Sequence, residues 1–393
     1  MASNSSKTYA RALGVLPGGN TRATTFVRPH PPYAAHGKGC RVTDTDGRTV
    51  IDCNNNYTSL IHGHADPHVL DAAERAGRQG TAFGLPTPYE VEMAEHLHSR
   101  TSIDHWRFCN SGTEAVMMLM RAARAYTGRD VVIRFEGSYH GTYEGVVNPV
   151  RAPGIPESTY QSIVVVPQHD LAALEEAMAR IGSRVAAVLI DLVPNRAGMV
   201  PAEHQYLARL REITTEYGAL LAIDEVISFR LAYGGFHQTY GVSPDLVSLA
   251  KIIGGGYPVG AIGGPREILD SFNPLHIGHG VSWGGTFSAN PVTLAAGLEA
   301  MRRFDAAAID RLNEMGDRLR KQLAAAGVWV RGHGSLIRLG MEDPQTGWWS
   351  LYSNGVLASS NGMMSLSTPM TDDDLEAITA GILRSEGVLR EDG

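Results

Sequence analysis

Residues 220–256 read LLAIDEVISFRLAYGGFHQTYGVSPDLVSLAKIIGGG. The stretch begins with an apolar run, Leu220–Ile223, which ends at Asp224. A second apolar run, Leu246–Ala250, ends at Lys251, and a glycine triplet follows two residues later. Short apolar runs bounded by turn residues are typical of strands buried in a parallel sheet. The stretch therefore predicts two buried strands, one closed by an acid and the next by a lysine.

An acid and a lysine at successive strand ends are the two groups that a pyridoxal 5′-phosphate (PLP) site requires. A lysine forms a Schiff base with the cofactor's aldehyde, and an aspartate pairs with its pyridinium nitrogen. A lone Asp224 or Lys251 in this position is usually a solvated side chain, so the interpretation depends on the motifs elsewhere in the chain.

Composition and charge limit the class of protein. The chain has 393 residues, enough for two domains, and 34 basic against 41 acidic side chains give a formal net charge of −7. This mildly acidic balance argues against a nucleic-acid-binding surface. Three cysteines without paired spacing, and histidines at 62, 64 and 68 without a ligand set, predict neither a disulfide framework nor a metal site.

The sequence also shows no pattern typical of a targeting signal. The first residues have no apolar core of a signal peptide, and no apolar run approaches the ~18 residues of a membrane span. We therefore expect a cytoplasmic protein that does not bind membranes.

From Trp106 onward, strand patterns alternate with helical ones. The predicted strands are 106–109, 131–135, 163–166, 185–190, 219–223, 246–250 and a returning strand at 257–264; the predicted helices between them include 115–126, 171–181 and 204–217. This alternation predicts an α/β fold with a mostly parallel sheet covered on both faces. Ligands of such sheets bind beyond the carboxyl ends of the strands. The polar residues that follow these strands should therefore converge; they are Ser111, Tyr139, Asp191, Asp224 and Lys251.

The turn at 110–114 is a candidate phosphate site. Ser111 and Glu114 match the S-x-x-E capping box ahead of the helix at 115–126. A helix N-terminus offers free amides and the positive end of the helix dipole to a phosphate. Plain helix capping produces the same pattern, so these residues alone leave both interpretations open.

The two ends of the chain are less regular. Residues 1–40 are rich in turns, and 42–53 predicts a hairpin. Beyond Phe304 we predict the helix 308–325, strands at 328–330 and 335–339, a polar loop through Trp349, and a last helix at 371–385.

Five motifs in one order now carry a family resemblance. They are Asn110–Ala115 (NSGTEA), Gly137–Gly141 (GSYHG), Ala222–Val226 (AIDEV), Ala250–Gly256 (AKIIGGG) and Gly285–Pro291 (GTFSANP). Together they resemble class III PLP-dependent aminotransferases of fold type I, over about residues 10–390. The resemblance extends in particular to the subgroup that contains glutamate-1-semialdehyde aminomutase and β-amino-acid aminotransferases such as β-phenylalanine aminotransferase.

The resemblance implies an architecture. It implies a mostly parallel central sheet with helices on both faces, and a smaller α+β domain built from both termini. The expected parts are an N-terminal segment (1–65) that contributes to the small domain and the active site, a large PLP-binding domain (66–305) and a C-terminal small domain (306–393). It also implies a homodimer with shared active sites.

The resemblance also implies roles for individual residues. Lys251 resembles the Schiff-base lysine and Asp224 the partner of the pyridine nitrogen. Tyr139 resembles the aromatic residue that stacks on the cofactor ring, with His140 beside it, and Val226 would pack on the far face. The phosphate cradle would comprise Ser111, Gly112 and Thr113, with Thr286 reaching the phosphate from the neighbouring subunit.

The substrate side of the site differs more from the family pattern. Arg22 resembles the arginine that β-amino-acid aminotransferases use for the substrate carboxylate, although a loop arginine is by itself more often a surface residue. Tyr57 stands where aminomutases tend to have tryptophan, and is the second candidate substrate residue. Arg196 falls where aminomutases carry asparagine, Asp191 replaces the usual glutamate, and the C-terminal layer is shorter than usual.

The activity implied is the transfer of an amino group between an amino acid and an oxo acid, and we expect the amino acid to be a β-amino acid. The alternatives are an aminomutase of the glutamate-1-semialdehyde type, another PLP reaction such as racemisation or decarboxylation, and a non-enzymatic binding protein. The presence of both Lys251 and Asp224 argues against the last of these.

Overall fold

A computed structural model of the chain describes residues 2–147, 152–276 and 280–385. Its strands are β1 (Ala34–Lys38), β2 (Arg41–Asp44), β3 (Thr49–Asp52), β4 (His105–Cys109), β5 (Val131–Phe135), β6 (Ile163–Val166), β7 (Val185–Asp191), β8 (Leu220–Asp224), β9 (Leu246–Ala250), β10 (Gly260–Gly264), β11 (Val330–His333), β12 (Leu336–Leu339), β13 (Val356–Leu357) and β14 (Met363–Ser365).

Its right-handed α-helices are α1 (Asn4–Ala12), α2 (Pro67–Gln79), α3 (Pro88–Thr101), α4 (Gly112–Thr127), α5 (Glu157–Tyr160), α6 (Leu171–Ile181), α7 (His204–Tyr217), α8 (Arg266–Leu269), α9 (Pro291–Arg303), α10 (Ala306–Ala325), α11 (Pro344–Ser353) and α12 (Asp372–Leu383). The chain divides into two compact units, one comprising Asp71–Ile309 and the other the residues up to Leu70 and from Asp310 onward.

The unit Asp71–Ile309 is built on one large sheet. Within the described residues, seven strands pair in the order β4-β10-β9-β8-β7-β5-β6. The pairs β9·β8, β8·β7, β7·β5 and β5·β6 are parallel, and only β10 runs against both of its neighbours. The other six strands therefore end at the same edge, which confirms the predicted α/β class with a mostly parallel sheet.

Helix α4 covers the middle of this sheet. Its inward face is apolar and buried, and its core partners come from β7, β8, β9 and β10. Ser111 caps its first turn, and Gly128, in the left-handed conformation with φ of 67°, ends it. The strand that precedes α4 and the strands beneath it thereby fix where the helix N-terminus points, which is toward the common edge.

In the part that the structure describes, the second unit contains two smaller sheets. One has the order β1-β2-β3-β13 and the other β11-β12-β14. The predicted hairpin is present as the antiparallel pair β2·β3. A small core of Val27, Val50, Trp348 and Tyr352 lies beside the first sheet.

The predicted polar loop through Trp349 is wrong, because residues 344–353 form helix α11. Asp343 accepts hydrogen bonds from the backbone N–H groups of Gln345 and Thr346, both at 3.2 Å, and Pro344 occupies the first helical turn. Trp348 and Tyr352, four residues apart, then stack with ring centroids 5.0 Å apart on the buried face. The start signal Asp-Pro was present in the sequence, but the short apolar pattern was too weak to predict a helix.

Other parts of the prediction also differ. The strand predicted at 328–330 is β11, which begins only at Val330 and ends at His333. Helix α1 lies within the turn-rich stretch 1–40 and is capped by the Ser3 side chain, which accepts from the N–H of Ser6 at 3.1 Å. The returning strand begins at Gly260 and not at Tyr257, since Pro258 cannot donate to a sheet. Residues 277–279, between α8 and α9, and residues 386–393 of the predicted small domain lie outside the described residues. None of the described helices combines the length and the apolar character that a membrane crossing needs.

Substitution of Gly297 tests how closely helix α9 packs on the segment after Lys251. A Cβ added there would lie 2.0 Å from the carbonyl oxygen of Ile253, in the segment that follows Lys251. We expect Gly297→Ala to lower the free energy of unfolding by about 1–3 kcal/mol, because the backbone must shift to make room. Denaturant unfolding of the purified protein measures this.

Gly77 provides the matched control. It is also a helical glycine, in α2, but its added Cβ would meet only Val292 Cγ2 at an ordinary 3.8 Å. Gly77→Ala should stabilise the protein by about 0.5–1 kcal/mol through helix propensity. Equal effects of the two substitutions would contradict the close approach of α9.

Candidate active site

Lys251 begins a turn directly after β9. Its backbone lies in the left-handed region, with φ of 54°, which a residue with a side chain adopts only when its surroundings enforce it. Burial lowers the pKa of its amine to about 8, and the carboxylates of Asp224 and Asp191 act in the opposite direction. Lys251 is therefore an amine with two acids nearby, and it can exchange its proton close to neutral pH.

Asp224 is buried at the end of β8, where three donors hold its carboxylate. His140 Nδ1 lies 2.7 Å from Oδ2, and Oδ1 accepts from Ser248 Oγ at 3.0 Å and from the N–H of Val226 at 3.1 Å. These donors come from the turn after β5, from β9 and from the turn after β8 itself. The carboxylate is therefore fixed in direction by three separate segments.

Asp191 occupies the equivalent place one strand away. It is the register partner of Asp224 in the parallel pair β7·β8, and its Oδ1 accepts from the N–H of Val193 at 3.0 Å. Burial and the neighbouring Asp224 raise its pKa to about 7, while His140 and Lys251 oppose the shift. The site thus holds one carboxyl group that titrates near neutral pH beside Asp224.

The predicted N-cap of α4 is present, but the predicted capping box is only half formed. Ser111 Oγ accepts from the N–H of Glu114 at 3.1 Å, so Ser111 is the N-cap. The Glu114 carboxylate accepts instead from the N–H of Asn110 at 2.6 Å, one residue earlier than a capping box requires. Within the described residues no hydrogen bond occupies the N–H groups of Gly112 and Thr113, so the first amides of α4 are free for an anion.

Gly112 lets the N-terminus of α4 pack closely on the ends of β8 and β9. A Cβ there would lie 3.3 Å from both methyl carbons of Val226 and 3.5 Å from Ala250 Cβ. The predicted phosphate turn, the predicted ring-packing valine and the residue before Lys251 therefore meet at one place. A side chain at residue 112 would press on Val226.

The turn after β5 buries the ring of His140 and leaves the ring of Tyr139 partly exposed. His140 is buried and bonds Asp224, and its Nε2 has no hydrogen-bond partner within the described residues. Tyr139 is 40% exposed, and the guanidinium of Arg196 lies over its ring, 4.4 Å from the centroid. Because Arg196 covers one face of the ring, stacking on a planar ligand would use the other face.

Three further predicted residues lie outside this constellation. Thr286 is exposed in the turn before α9, and no hydrogen bond joins it to residues 111–113 in the described part of the chain. Arg22 and Tyr57 belong to the other compact unit, where the guanidinium lies 5.3 Å from the tyrosine ring centroid. Arg22 Nη1 also donates to Asn56 Oδ1 at 2.8 Å.

Sequence reasoning missed the role of Ser248 as a donor to Asp224. Ser248 is fully buried and is the only polar residue of β9. A lone hydroxyl within an apolar strand was the available signal, because a buried hydroxyl must find a partner. The residues next to Ser248 in the sequence do not indicate which side chain that partner is.

Comparison with known proteins agrees with this geometry. The model of the aminotransferase class-III family matches residues 26–383. Glutamate-1-semialdehyde 2,1-aminomutase from Methanothermobacter thermautotrophicus is 41% identical over 329 residues, which cover 81% of this chain and 78% of that protein.

Two solved structures are similar over almost their full length. A transaminase with PLP bound is 37% identical with a TM-score of 0.94, covering 98% of each chain. A β-phenylalanine aminotransferase from Variovorax paradoxus is 31% identical with a TM-score of 0.88, covering 96% of this chain and 92% of that one. A lysine, an aspartate and a free helix N-terminus meet at one edge of the sheet, and the sequence matches the family over most of its length. The chain therefore belongs to the class III PLP-dependent aminotransferases of fold type I.

Proposed function

We propose that this protein is an aminotransferase that moves an amino group between a β-amino acid and an oxo acid. The observation that carries the proposal is the meeting of Lys251, Asp224 and the free end of α4 at one edge of the sheet, with the lysine pKa lowered to about 8. The family match fixes the class of chemistry, and the side chains at this edge supply the groups that such chemistry needs.

The residues present fit PLP. The free amides of α4 suit a phosphate, and Gly112 lets the turn that carries them pack closely on Val226 and on Ala250, the residue before Lys251. We propose that Ser111, Gly112 and Thr113 hold the phosphate, that Asp224, steadied by His140, bonds the pyridine nitrogen, and that Tyr139 and Val226 cover the two ring faces. Lys251 Nζ would be the point of attachment.

Lys251 is also suited to proton transfer. PLP, when bound, draws electrons away from the carbon that bears the transferred amino group. An amine with a pKa near 8 can take a proton from that carbon at neutral pH and return it to a neighbouring atom, since both of its protonation states are accessible. The carboxylates of Asp224 and Asp191 favour the protonated form and so limit how far burial lowers this pKa.

Arg22 supports a carboxylated substrate. It lines a cavity of about 280 Å³ in its own unit, together with the polar Asn56 and Tyr57 and the apolar Trp348 and Leu357. Asp44 and Asp52 also line the cavity, where their carboxylates are hydrogen-bonded to Tyr352 and His64. A guanidinium beside apolar side chains suits a carboxylate that carries an apolar group. The similarity to a β-phenylalanine aminotransferase points to the same substrate class.

An aminomutase is the second candidate, because the relatives cited above include one at 41% identity. Tyr57 and Arg196 replace residues that aminomutases tend to carry, which favours the aminotransferase. The two activities differ in whether nitrogen leaves the substrate. An aminotransferase passes the amino group of β-phenylalanine to added pyruvate or 2-oxoglutarate, and the absence of any such net exchange, together with isomerisation of a diamino or amino-oxo substrate, would establish the aminomutase.

Replacement of the lysine tests the assigned site. We expect Lys251→Ala to lose the visible absorption band of the PLP-loaded protein and to lower kcat by at least about 10²–10⁴-fold, since both attachment and proton transfer are lost. Spectroscopy and a transamination assay measure the two effects. Lys321→Ala, an exposed lysine on α10, is the control and should change neither; an unchanged band in Lys251→Ala would reject the assignment.

We also propose that two copies associate through the unit Asp71–Ile309. Large apolar side chains are exposed on two adjacent segments, including Phe83 and Leu85 on one and Phe287, 61% exposed, on the other. Asn290 Nδ2 donates to the carbonyl oxygen of Thr81 at 2.7 Å and joins these segments. Thr286 is exposed and precedes Phe287 in the sequence, which supports its proposed reach to the phosphate of the other copy.

A charge on this face should separate the copies. We expect the wild-type protein to have twice the mass of one chain in light scattering, and Phe287→Glu to shift it toward one chain and to weaken PLP binding. Tyr126→Glu is the control, because Tyr126 is similarly exposed, at 50%, but lies at the end of α4. A wild type with the mass of one chain, or equal masses for the two variants, would count against the interface.

A further inference from the structure

Residues Asn55–Thr58 form one turn of left-handed helix without a single glycine. Their φ angles are 48°, 48°, 56° and 75°, and ψ is 57° at Asn56 and 50° at Tyr57. The left-handed region is costly for residues with a Cβ, and asparagine tolerates it better than tyrosine or threonine does. Four consecutive residues there persist only if surrounding groups hold them.

Hydrogen bonds from three neighbouring side chains hold the turn in this conformation. Asp52 Oδ1 accepts from the N–H groups of Asn54 and Asn55, at 2.9 and 2.8 Å. Asn54 Oδ1 accepts from the N–H of Tyr57 at 2.7 Å. The buried Asn55 donates through Nδ2 to the carbonyl oxygen of Ser365 at 2.8 Å. The strained conformation is thus fixed by the core of its unit and does not result from a loose loop.

The turn places the side chains of Asn56 and Tyr57 against Arg22. Asn56 Oδ1 accepts from Arg22 Nη1 at 2.8 Å, the guanidinium lies over the Tyr57 ring, and the Tyr57 hydroxyl donates to the carbonyl oxygen of Thr24. The backbone of Arg22 is itself tied, because its carbonyl oxygen accepts from Thr25 Oγ1 at 2.9 Å. The arginine is therefore held at its backbone, on one face and at one nitrogen.

The rest of the guanidinium stays open. Arg22 is exposed, and within the described residues no hydrogen bond occupies its Nε or Nη2. These two nitrogens form one edge of the planar fork, which matches the two oxygens of a carboxylate. An amide partner at Nη1 directs that edge without neutralising its charge, as a carboxylate partner would.

We propose that Asn56 is a positioning residue that determines specificity for carboxylated substrates by orienting Arg22, and that the left-handed turn exists to deliver its side chain. This inference rests on the proposed role of Arg22 in binding the substrate carboxylate. Asn56 does not touch the reacting atoms; it acts through the arginine. A side chain that pre-orients a flexible arginine reduces the entropy lost when the carboxylate binds.

The experiment compares Asn56→Gly with Thr58→Gly in the PLP-loaded protein. Both substitutions relieve a left-handed residue, and Thr58 is buried and makes no contact with Arg22 among the described hydrogen bonds. The probe is 3-phenylpropanoate, which has the carboxylate but no amino group, and calorimetry gives its Kd. We expect Kd to rise about tenfold in Asn56→Gly and to stay at the wild-type value in Thr58→Gly.

Kinetics provide the second measurement. With β-phenylalanine as donor, Asn56→Gly should raise KM about tenfold with kcat nearly unchanged. With 1-phenylethylamine, which lacks the carboxylate, it should leave both constants at wild-type values. The melting temperature of Asn56→Gly should equal or exceed that of the wild type; a marked decrease, with KM raised equally for both donors, would mean that Asn56 serves the fold and would overturn the inference.

Arg22→Ala separates this inference from the proposed function. If Arg22→Ala weakens binding of 3-phenylpropanoate about 10- to 100-fold while Asn56→Gly binds as the wild type does, the arginine keeps its role and Asn56 does not position it. If Arg22→Ala binds normally, or the wild type does not bind, the carboxylate site itself is wrong and the inference falls with it.

Discussion

The site depends on the burial of charge at the carboxyl edge of one sheet. Asp191 and Asp224 end neighbouring parallel strands in register, and Lys251 ends the strand beyond them. A buried acid and a buried amine are each unfavourable alone. The amine favours the ionised acids and the acids favour the protonated amine, whereas Asp224 disfavours the ionised form of Asp191. The pKa of Asp191, raised to about 7, and that of Lys251, lowered to about 8, are two consequences of this one arrangement.

The same arrangement explains why the surroundings are so tightly specified. Asp224 needs donors from three segments, which fixes the turn after β5 through His140 and requires a hydroxyl inside β9 at Ser248. Lys251 must leave β9 in a left-handed conformation, a strain of roughly 1–2 kcal/mol that the packing of the following turn must offset. The second unit shows the same relation at residues 55–58, where strain again coincides with a proposed binding group. Lys251 and residues 55–58 are thus two places where a left-handed backbone coincides with a side chain whose direction matters.

Much of the large unit could be predicted from the sequence because its signals are local. Apolar runs such as 246–250 and 185–190 fall where β9 and β7 lie, and a strand's end determines which edge its polar residue reaches. The smaller unit was harder to predict. Helix α11 depends on a cap and on two stacked aromatic rings, and helix α1 on the Ser3 cap, so neither has a long periodic pattern. The left-handed turn at 55–58 carries no glycine, which removes the usual signal for positive φ. The pairing of His140 and Ser248 with Asp224 is a contact between distant segments, which no local pattern encodes.

The central claim is that Lys251 is an amine perturbed by burial and by two acids. The rate at which Lys251 of the cofactor-free protein reacts with an acylating reagent, followed by peptide mass analysis as a function of pH, tests it most directly. The account predicts a midpoint near pH 8. It also predicts a lower midpoint in Asp191→Asn, because the Asp191 carboxylate, ionised above its pKa of about 7, favours the protonated amine. A midpoint near the ordinary lysine value of about 10.4, unchanged in Asp191→Asn, would contradict it.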